Sequence, residues 1–304
     1  MPHNNSKIIF FGTSSFAVPS LEALIKNGHG VSAVFTGHGP IKNLAQTKNL
    51  KIFQPISLKK NEQTLKEFRN LKPDVCVVVA YGKIIPPEYL EVPKHGFINI
   101  HPSMLPKHRG PSPIQTAILN DNKETGVSIM LVDKEIDHGP ILSFAPFQLP
   151  TTIYYQEAEE KLALIGAQLL AKTLPEHLNG EIIPKEQDHN QATFTKMFIR
   201  ENGRISWNEP VNKIYNQIRA LHLEPRVWTK WKNKVLNIDR AEPLDIDHET
   251  TEKQGFVKKI DDKICVTAKD GYLKIESLQL EGGKKMDIKS FLNGHPDFLN
   301  SVLK

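Results

Sequence analysis

Asn99 and His101 stand two residues apart at the end of the apolar run Phe97-Ile98-Asn99-Ile100-His101. Side chains along a strand alternate faces with period two, so the amide and the imidazole project from one face at the strand's carboxyl end. The chain then turns through Pro102 to Gly110, and Ser112-Pro113 marks a helix start, with Ser as N-cap and Pro as the first helical residue. A further strand, Thr125 to Val132, leads into Asp133-Lys134-Glu135-Ile136-Asp137-His138-Gly139, a loop that brings in the carboxylate of Asp137. In an open α/β sheet ligands sit outside the carboxyl ends of the strands, and both the Asn/His pair and Asp137 are expected at such ends. An amide, an imidazole and a carboxylate, with no serine or cysteine nucleophile among them, suit direct transfer of an acyl group to an amine. The amide N–H stabilises the oxyanion, the imidazole takes the amine proton, and the carboxylate fixes the tautomer or relays the proton.

The elements that must position this trio read as alternating strands and helices. Ile8–Phe11 is a short apolar strand ending at Gly12, followed by an amphipathic helix over Phe16–Asn27. Strands at Val31–Phe35 and Ile52–Phe53 each precede helix-like segments, the second at Glu62–Asn70, and Val75–Ala80 is the most apolar run of the chain. Near-continuous hydrophobic strands separated by helices indicate a mostly parallel, doubly wound, Rossmann-like α/β sheet. The first strand–helix turn carries Gly12 alone where a dinucleotide fingerprint needs three glycines, and no Walker A sequence occurs, which argues against a nucleotide cofactor. After a strand at Ile141–Leu149, a helix over Tyr154–Leu178 closes the first domain, with Asn179-Gly180 as its stop signal. Glu181–Arg204 is polar, lacks periodicity and reads as a linker across the surface.

From Ile205 the pattern changes. One helix, Val211–Leu221, precedes short strands at Thr229–Trp231, Val235–Ile238, Gly255–Lys258, Ile264–Thr267 and Leu273–Leu280, a spacing that suggests a small, OB-like β-barrel. The expected domains are 1–182, a linker 183–204, and 205–304. Trp228 and Trp231 alternate with Lys230, Lys232 and Lys234; the tryptophans are read as barrel core and the lysines, with Lys284 and Lys285, as candidate phosphate contacts.

The composition, 39% hydrophobic and 24% charged over 304 residues, is that of a globular chain with a substantial core. Met1–Ser6 carries no signal-peptide pattern and no apolar run reaches membrane-span length, so a cytoplasmic enzyme is expected. The two cysteines, Cys76 and Cys265, offer neither a disulfide framework nor a metal cluster and read as core thiols. A net charge of +5, spread along the chain, permits a nucleic-acid partner without requiring one.

Asn99-x-His101, the turn Ser103-Met104-Leu105-Pro106 with Arg109-Gly110 behind it, and Asp137-x-Gly139 resemble the folate-dependent formyltransferases. Phe11-Gly12-Thr13-Ser14-Ser15-Phe16-Ala17-Val18-Pro19, Ala80-Tyr81-Gly82, Phe194-Thr195-Lys196-Met197, Ile205-Ser206-Trp207 and Gly282-Gly283-Lys284-Lys285-Met286 are similar to the branch of that family that formylates methionyl-tRNA. The resemblance implies Asn99, His101 and Asp137 as catalytic residues, and 10-formyltetrahydrofolate as formyl donor with no metal. It implies a folate wall from Tyr81, Gly82, Ser103, Met104, Leu105, Pro106 and Val132. Initiator methionyl-tRNA is the implied acceptor, the barrel an accessory surface for it, and a monomer the expected state. A sugar-nucleotide N-formyltransferase shares the same trio and is the alternative. His108 reads as a surface residue or an anion contact, His138 as a pocket-lining residue, and Asp133 and Glu135 as solvated. Arg109 suits either the donor's glutamate tail, held bidentately, or a tie to nearby carbonyls. Two departures stand out. The long basic loop usual after the second strand is reduced to Gly37-His38-Gly39-Pro40, and Leu223-Glu224-Pro225-Arg226 replaces an Asn-Pro-Trp-Pro-like stretch.

Overall fold

The structure, a computed structural model, describes residues 6–245 and 252–304, so the start of the polar Met1–Ser6 segment lies outside the described residues. The chain divides into two compact units. The first comprises Met1–Pro113, Glu124–Gln148 and Glu157–Thr195, and the second Ile114–Lys123, Leu149–Gln156 and Lys196–Lys304.

The first unit is built on seven strands: β1 (Lys7–Gly12), β2 (Gly30–Phe35), β3 (Lys51–Phe53), β4 (Val75–Val79), β5 (Phe97–His101), β6 (Glu124–Leu131) and β7 (Ile141–Gln148). They lie in the order β3-β2-β1-β4-β5-β6-β7. The strands β1 to β5 run parallel, joined by helices α1 (Val18–Lys26), α2 (Pro40–Thr47), α3 (Glu62–Leu71) and the short α4 (Pro87–Leu90). All five residues of β4 are buried, as a strand covered on both faces requires. On one side Phe11, Phe35, Phe68, Tyr89 and Phe97 form an aromatic core, with Phe11 and Phe35 stacked at 4.6 Å between centroids. Burying each such ring contributes about 1.5–3 kcal/mol.

The last two strands depart from the simple expectation. Pairing of β6 with β5 is antiparallel, His101 opposite Ser128 and Ile98 opposite Leu131, and β7 is antiparallel to β6. The carboxyl end of β6 therefore lies beside the amino end of β5, not beside His101. Asp137 does not sit at a carboxyl end shared with the Asn/His pair; the loop after β6 has to fold back across the sheet face to reach them. β7 is the edge strand, and its mostly alternating burial shows one face packed and one open.

The second unit holds most of α5 (Pro113–Leu119), the first two residues of α6 (Tyr155–Leu178), and α7 (Val211–Leu221). Its strands are β8 (Trp228–Trp231), β9 (Lys234–Leu244), β10 (Val257–Ile260), β11 (Lys263–Thr267), β12 (Tyr272–Leu280) and β13 (Met286–Asp287), and α8 (Ile288–Gly294) follows. Five form an antiparallel sheet ordered β10-β11-β12-β9-β8, and β13 adds to β12. The terminal residues join its edges. Lys304 exchanges backbone hydrogen bonds with Lys230 of β8, while Leu303 donates to Gly255 and Val257 of β10 donates to Ser301. This closes the small barrel that the strand spacing suggested. Trp228 and Trp231 are buried, in agreement with their reading as core, while Lys230, Lys232 and Lys234 stay exposed. Arg219 of α7 is the largest fully buried side chain; its guanidinium donates to the Ile153 carbonyl at 2.8 Å and to Asn216 Oδ1 at 2.6 Å. Among the described residues no helix is long and apolar enough to cross a membrane.

Candidate active site

The fold-back of the β6–β7 loop brings the three residues together. Asn99 Nδ2 donates to Asp137 Oδ1 at 3.3 Å, and His101 Nδ1 lies 3.5 Å from Asp137 Oδ2. The same Oδ2 accepts from the backbone N–H of Gly110 at 2.8 Å. His101 is buried, and its Nε2 meets the carbonyl oxygen of His108 at 3.0 Å. A carbonyl only accepts, so Nε2 carries a proton and donates it there, which leaves Nδ1 facing the carboxylate. The trio is thus a connected network in which Asp137 touches the other two. Asn99 Nδ2 keeps one further N–H for a substrate oxygen.

The backbone around this network is strained. Ala80, His108 and Asp137 adopt positive φ values of 45°, 59° and 50°. Each such residue costs on the order of 1 kcal/mol or more, and it persists only where its surroundings over-determine it. The β4–β5 register, Val78 beside Asn99, brings Ala80 level with His101. The loop after β4 leaves Ala80 and Gly82 exposed, and a Cβ on Gly82 would meet open space. Ile84 and Ile136 are exposed apolar residues in the loops after β4 and β6, 85% and 68% accessible.

Several expected folate-wall residues are occupied with the scaffold. The Tyr81 ring is buried and packs edge-on against Phe11 at 5.3 Å; its hydroxyl has no partner, and burial pushes its pKa up. At that position the exposed residues are Ala80 and Gly82. Ser103 is buried, its Oγ donating to the Lys107 carbonyl at 2.6 Å, and its own carbonyl accepts from Ser128 Oγ. Leu105 N donates to that same Ser128 Oγ at 3.1 Å. Met104 lies against Gly126, where a Cβ would come within 2.5 Å of its sulfur. The Pro106 carbonyl accepts from Thr193 N, and Val132 N donates to the Phe97 carbonyl at 2.8 Å. These four turn residues hold the Ser103–Lys107 turn in shape, and with it the His108 carbonyl that orients His101.

Arg109 resolves to a tie. It is 3% exposed, and its Nε and Nη2 both donate to Gln187 Oε1, at 3.2 and 2.7 Å, while Nη2 also meets His189 Nδ1 at 2.9 Å. Its guanidinium is spent inside the protein and is not presented to a ligand tail. His138 Nδ1 bonds Asp133 Oδ2 at 2.6 Å and its ring stacks on His189, ring centroids 4.0 Å apart, so Asp133 is a hydrogen-bond partner as well as a loop carboxylate. His108 is half-buried, and burial together with the nearby His101 and Lys107 lowers its pKa.

Residues 187–195, read from sequence as part of a surface linker, lie on the turn that carries His108 and Arg109. Arg109 N donates to the Thr193 carbonyl and Thr195 N to the Arg109 carbonyl, a parallel bridge. His108 N and Ser112 N donate to the hydroxyls of Thr193 and Thr195. Gln187 is buried and donates from Nε2 to the Asp137 carbonyl at 3.0 Å and the Gly139 carbonyl at 2.7 Å. Thr195 fell within a recognisable motif, but nothing in the polar, aperiodic sequence around Gln187 distinguishes it. Elsewhere, in the second unit, Arg204, Trp207, Lys253 and Lys304 are among the residues lining a cavity of about 570 Å³.

A Rossmann-like sheet that presents an amide, an imidazole and a carboxylate in one network suits an enzyme of direct acyl transfer. The chain belongs to the formyl transferase family, matching the formyl transferase domain over residues 6–177 and the formyl transferase C-terminal domain over residues 198–296. It is 40% identical over 310 residues to the methionyl-tRNA formyltransferase of Caldanaerobacter subterraneus subsp. tengcongensis, covering 98% of this chain and 100% of that protein. The solved methionyl-tRNA formyltransferase from Clostridium thermocellum superposes with a TM-score of 0.56 at 24% identity, over 78% of this chain and 93% of that one. WlaRD, a sugar 3N-formyl transferase solved with dTDP and 5-N-formyl-THF, superposes with a TM-score of 0.68 at 20% identity, over 93% of this chain and 98% of that one.

Proposed function

We propose that the chain transfers the formyl group of 10-formyltetrahydrofolate to the α-amino group of methionine on initiator methionyl-tRNA, in the cytoplasm and as a monomer. The observation that carries this reading is identity of 40% over the full length of a methionyl-tRNA formyltransferase. The sugar enzyme superposes better than the solved tRNA enzyme, but at 20% identity that likeness speaks to fold, which both activities share. Sequence identity therefore decides between acceptors.

The donor supplies the formyl carbon, and the chain's residues supply position and proton movement. Exposed Ala80, Gly82 and Ile84 in the loop after β4, and exposed Ile136 in the loop after β6, are the residues through which a flat, largely apolar heterocycle would be received. Attack of the amine nitrogen on the formyl carbon moves an electron pair onto the formyl oxygen. The free N–H of Asn99 meets that oxyanion. With Nε2–H held by the His108 carbonyl, the accepting nitrogen of His101 is Nδ1, on the Asp137 side. His101 and Asp137 then act as one acceptor for the ammonium proton; the oxyanion's electron pair re-forms the C=O bond as the bond from carbon to the folate nitrogen breaks, and that nitrogen takes the proton back from the imidazolium. In the second unit Lys230 and Lys234 are exposed and suited to phosphate, while the ammonium of Lys232 is paired with Asp297. Domain limits of 1–182 and 205–304 belong to the same reading, with residues 183–204 joining the two and their stretch 187–195 packed on the first domain's turn.

The test is a formylation assay with one folate donor, comparing charged initiator tRNA with amino-sugar nucleotides. Turnover of the sugar nucleotide without turnover of methionyl-tRNA refutes the assignment.

A further inference from the structure

Gln187 joins the two loops that carry the site. Its Oε1 accepts twice from Arg109, and its Nε2 donates to the carbonyls of Asp137 and Gly139, on either side of His138. A guanidinium only donates and carbonyls only accept, so the partners themselves fix which way the amide points. Glutamate at this position would face two carbonyls with an acceptor, leucine would bond neither loop, and lysine could not accept from Arg109. Asparagine is one methylene shorter.

The two carbonyls belong to a loop that needs holding. Asp137 sits at φ 50°, and Gly139 is so close to the strand before it that a Cβ would come within 2.0 Å of the Leu131 carbonyl. Released, Asp137 can leave the left-handed region, and its carboxylate moves with the backbone away from Asn99, His101 and Gly110. On the other loop, Arg109 is itself fixed through its backbone to Thr193 and Thr195. The segment 187–195 therefore clamps the loop of Asp137 and the turn of His108 at once, using groups that never face a substrate.

We infer that Gln187 is a positioning residue for the transfer step, holding the Asp137 loop against the Arg109 turn so that carboxylate, imidazole and amide stay in register; this rests on the formyl-transfer reading of the trio. The test uses the full chain with Gln187→Leu, Gln187→Glu, Asp137→Asn and the double variant Gln187→Leu/Asp137→Asn. Measured are kcat and both KM values with methionyl-tRNA, and the His101 ring resonances by NMR without substrate. Gln187→Leu is expected to lower kcat about 10- to 100-fold, the size usual for misplacing a reacting group, and to leave both KM values within twofold. The double variant should be no more than twofold slower than Asp137→Asn alone, and the His101 resonances should move as they do in Asp137→Asn. Gln187→Glu keeps the Arg109 contact and loses the donor bonds, so it should show the same pattern even where the leucine variant fails to fold. Unchanged kcat with unmoved His101 resonances, multiplicative losses in the double variant, or a loss confined to KM each overturn the inference. A native chain inactive on methionyl-tRNA would refute the proposed acceptor instead, and the His101 resonances would still decide the role of Gln187.

Discussion

In the proposed chemistry Asn99 serves the formyl oxygen and His101 the amine proton, and the structure gives the two side chains different dependencies. Asn99 donates to Asp137, whereas the His101 ring is fixed through Nε2 by the His108 carbonyl and turns Nδ1 toward Asp137 at 3.5 Å. Asn99→Ala and His101→Ala are each expected to lower single-turnover rates by about a hundredfold or more, with much smaller changes in donor binding. Near-native turnover by His101→Ala would remove it from the proposed chemistry. Arg109 provides a contrasting case. Because its guanidinium bonds Gln187 and His189, Arg109→Ala should reduce kcat and thermal stability without weakening the donor through its glutamate tail. Comparing KM for donors with and without that tail checks this: a selective rise in KM for the tailed donor would show that Arg109 does contact it.

The elements impose their own constraints. Gly139→Ala forces a methyl group onto the Leu131 carbonyl, so the loop must shift or the strand must give. Overpacking of this kind costs about 1–3 kcal/mol. Loss of both Tm and kcat is expected, and a fully active Gly139→Ala enzyme would show that the loop has room to relax. The turn after β2 is equally tight: Thr36 N donates to the Phe53 carbonyl, Gly37 N to Thr13 Oγ1, and Gly39, at φ 149°, would place a Cβ 2.9 Å from the Thr13 carbonyl. No basic excursion leaves the sheet here. The chain should therefore bind charged tRNA with clear salt dependence but prefer initiator over elongator methionyl-tRNA only weakly, each missing discriminating contact being worth about 1–3 kcal/mol. The ratio of kcat/KM for the two tRNAs at fixed ionic strength measures this, and strong preference would place discrimination on another surface. Much of this level was legible beforehand. Buried strands announce themselves as apolar runs, and Ser112-Pro113 and Asn179-Gly180 mark helix ends through local chemistry that acts over a few residues. The trio was legible because two of its members share a strand and the third shares a motif. Strand direction was not legible, because antiparallel β6 has the same apolar pattern as a parallel one. The engagement of residues 187–195 was also hidden, since hydrogen bonds through main chain, threonine and glutamine leave no periodic signal.

At the scale of the whole molecule, four histidines among the described residues have pKa values lowered below the ordinary 6.5, chiefly by burial: His29, His95, His108 and His222. Above about pH 6.5 they are mostly neutral in both folded and unfolded chains. As pH falls further the unfolded chain binds protons that the folded chain resists, so stability should decline below about pH 6.5 and keep declining until the folded histidines also titrate. Urea unfolding at pH 7.5 and pH 5.5 tests the sign, and greater stability at the lower pH would contradict it. The clamp formed by residues 187–195 bears on how such a protein can be recombined with its relatives. Helix α6 ends at Leu178, and the first family domain stops at residue 177, which invites a junction there. A chimera spliced at that point takes its glutamine, its two threonines and its catalytic loops from different parents, and they must match by chance. A seam after Thr195, where the first unit itself ends, keeps them from one parent, so exchange of residues 196–304 should be tolerated there and fail more often some seventeen residues earlier.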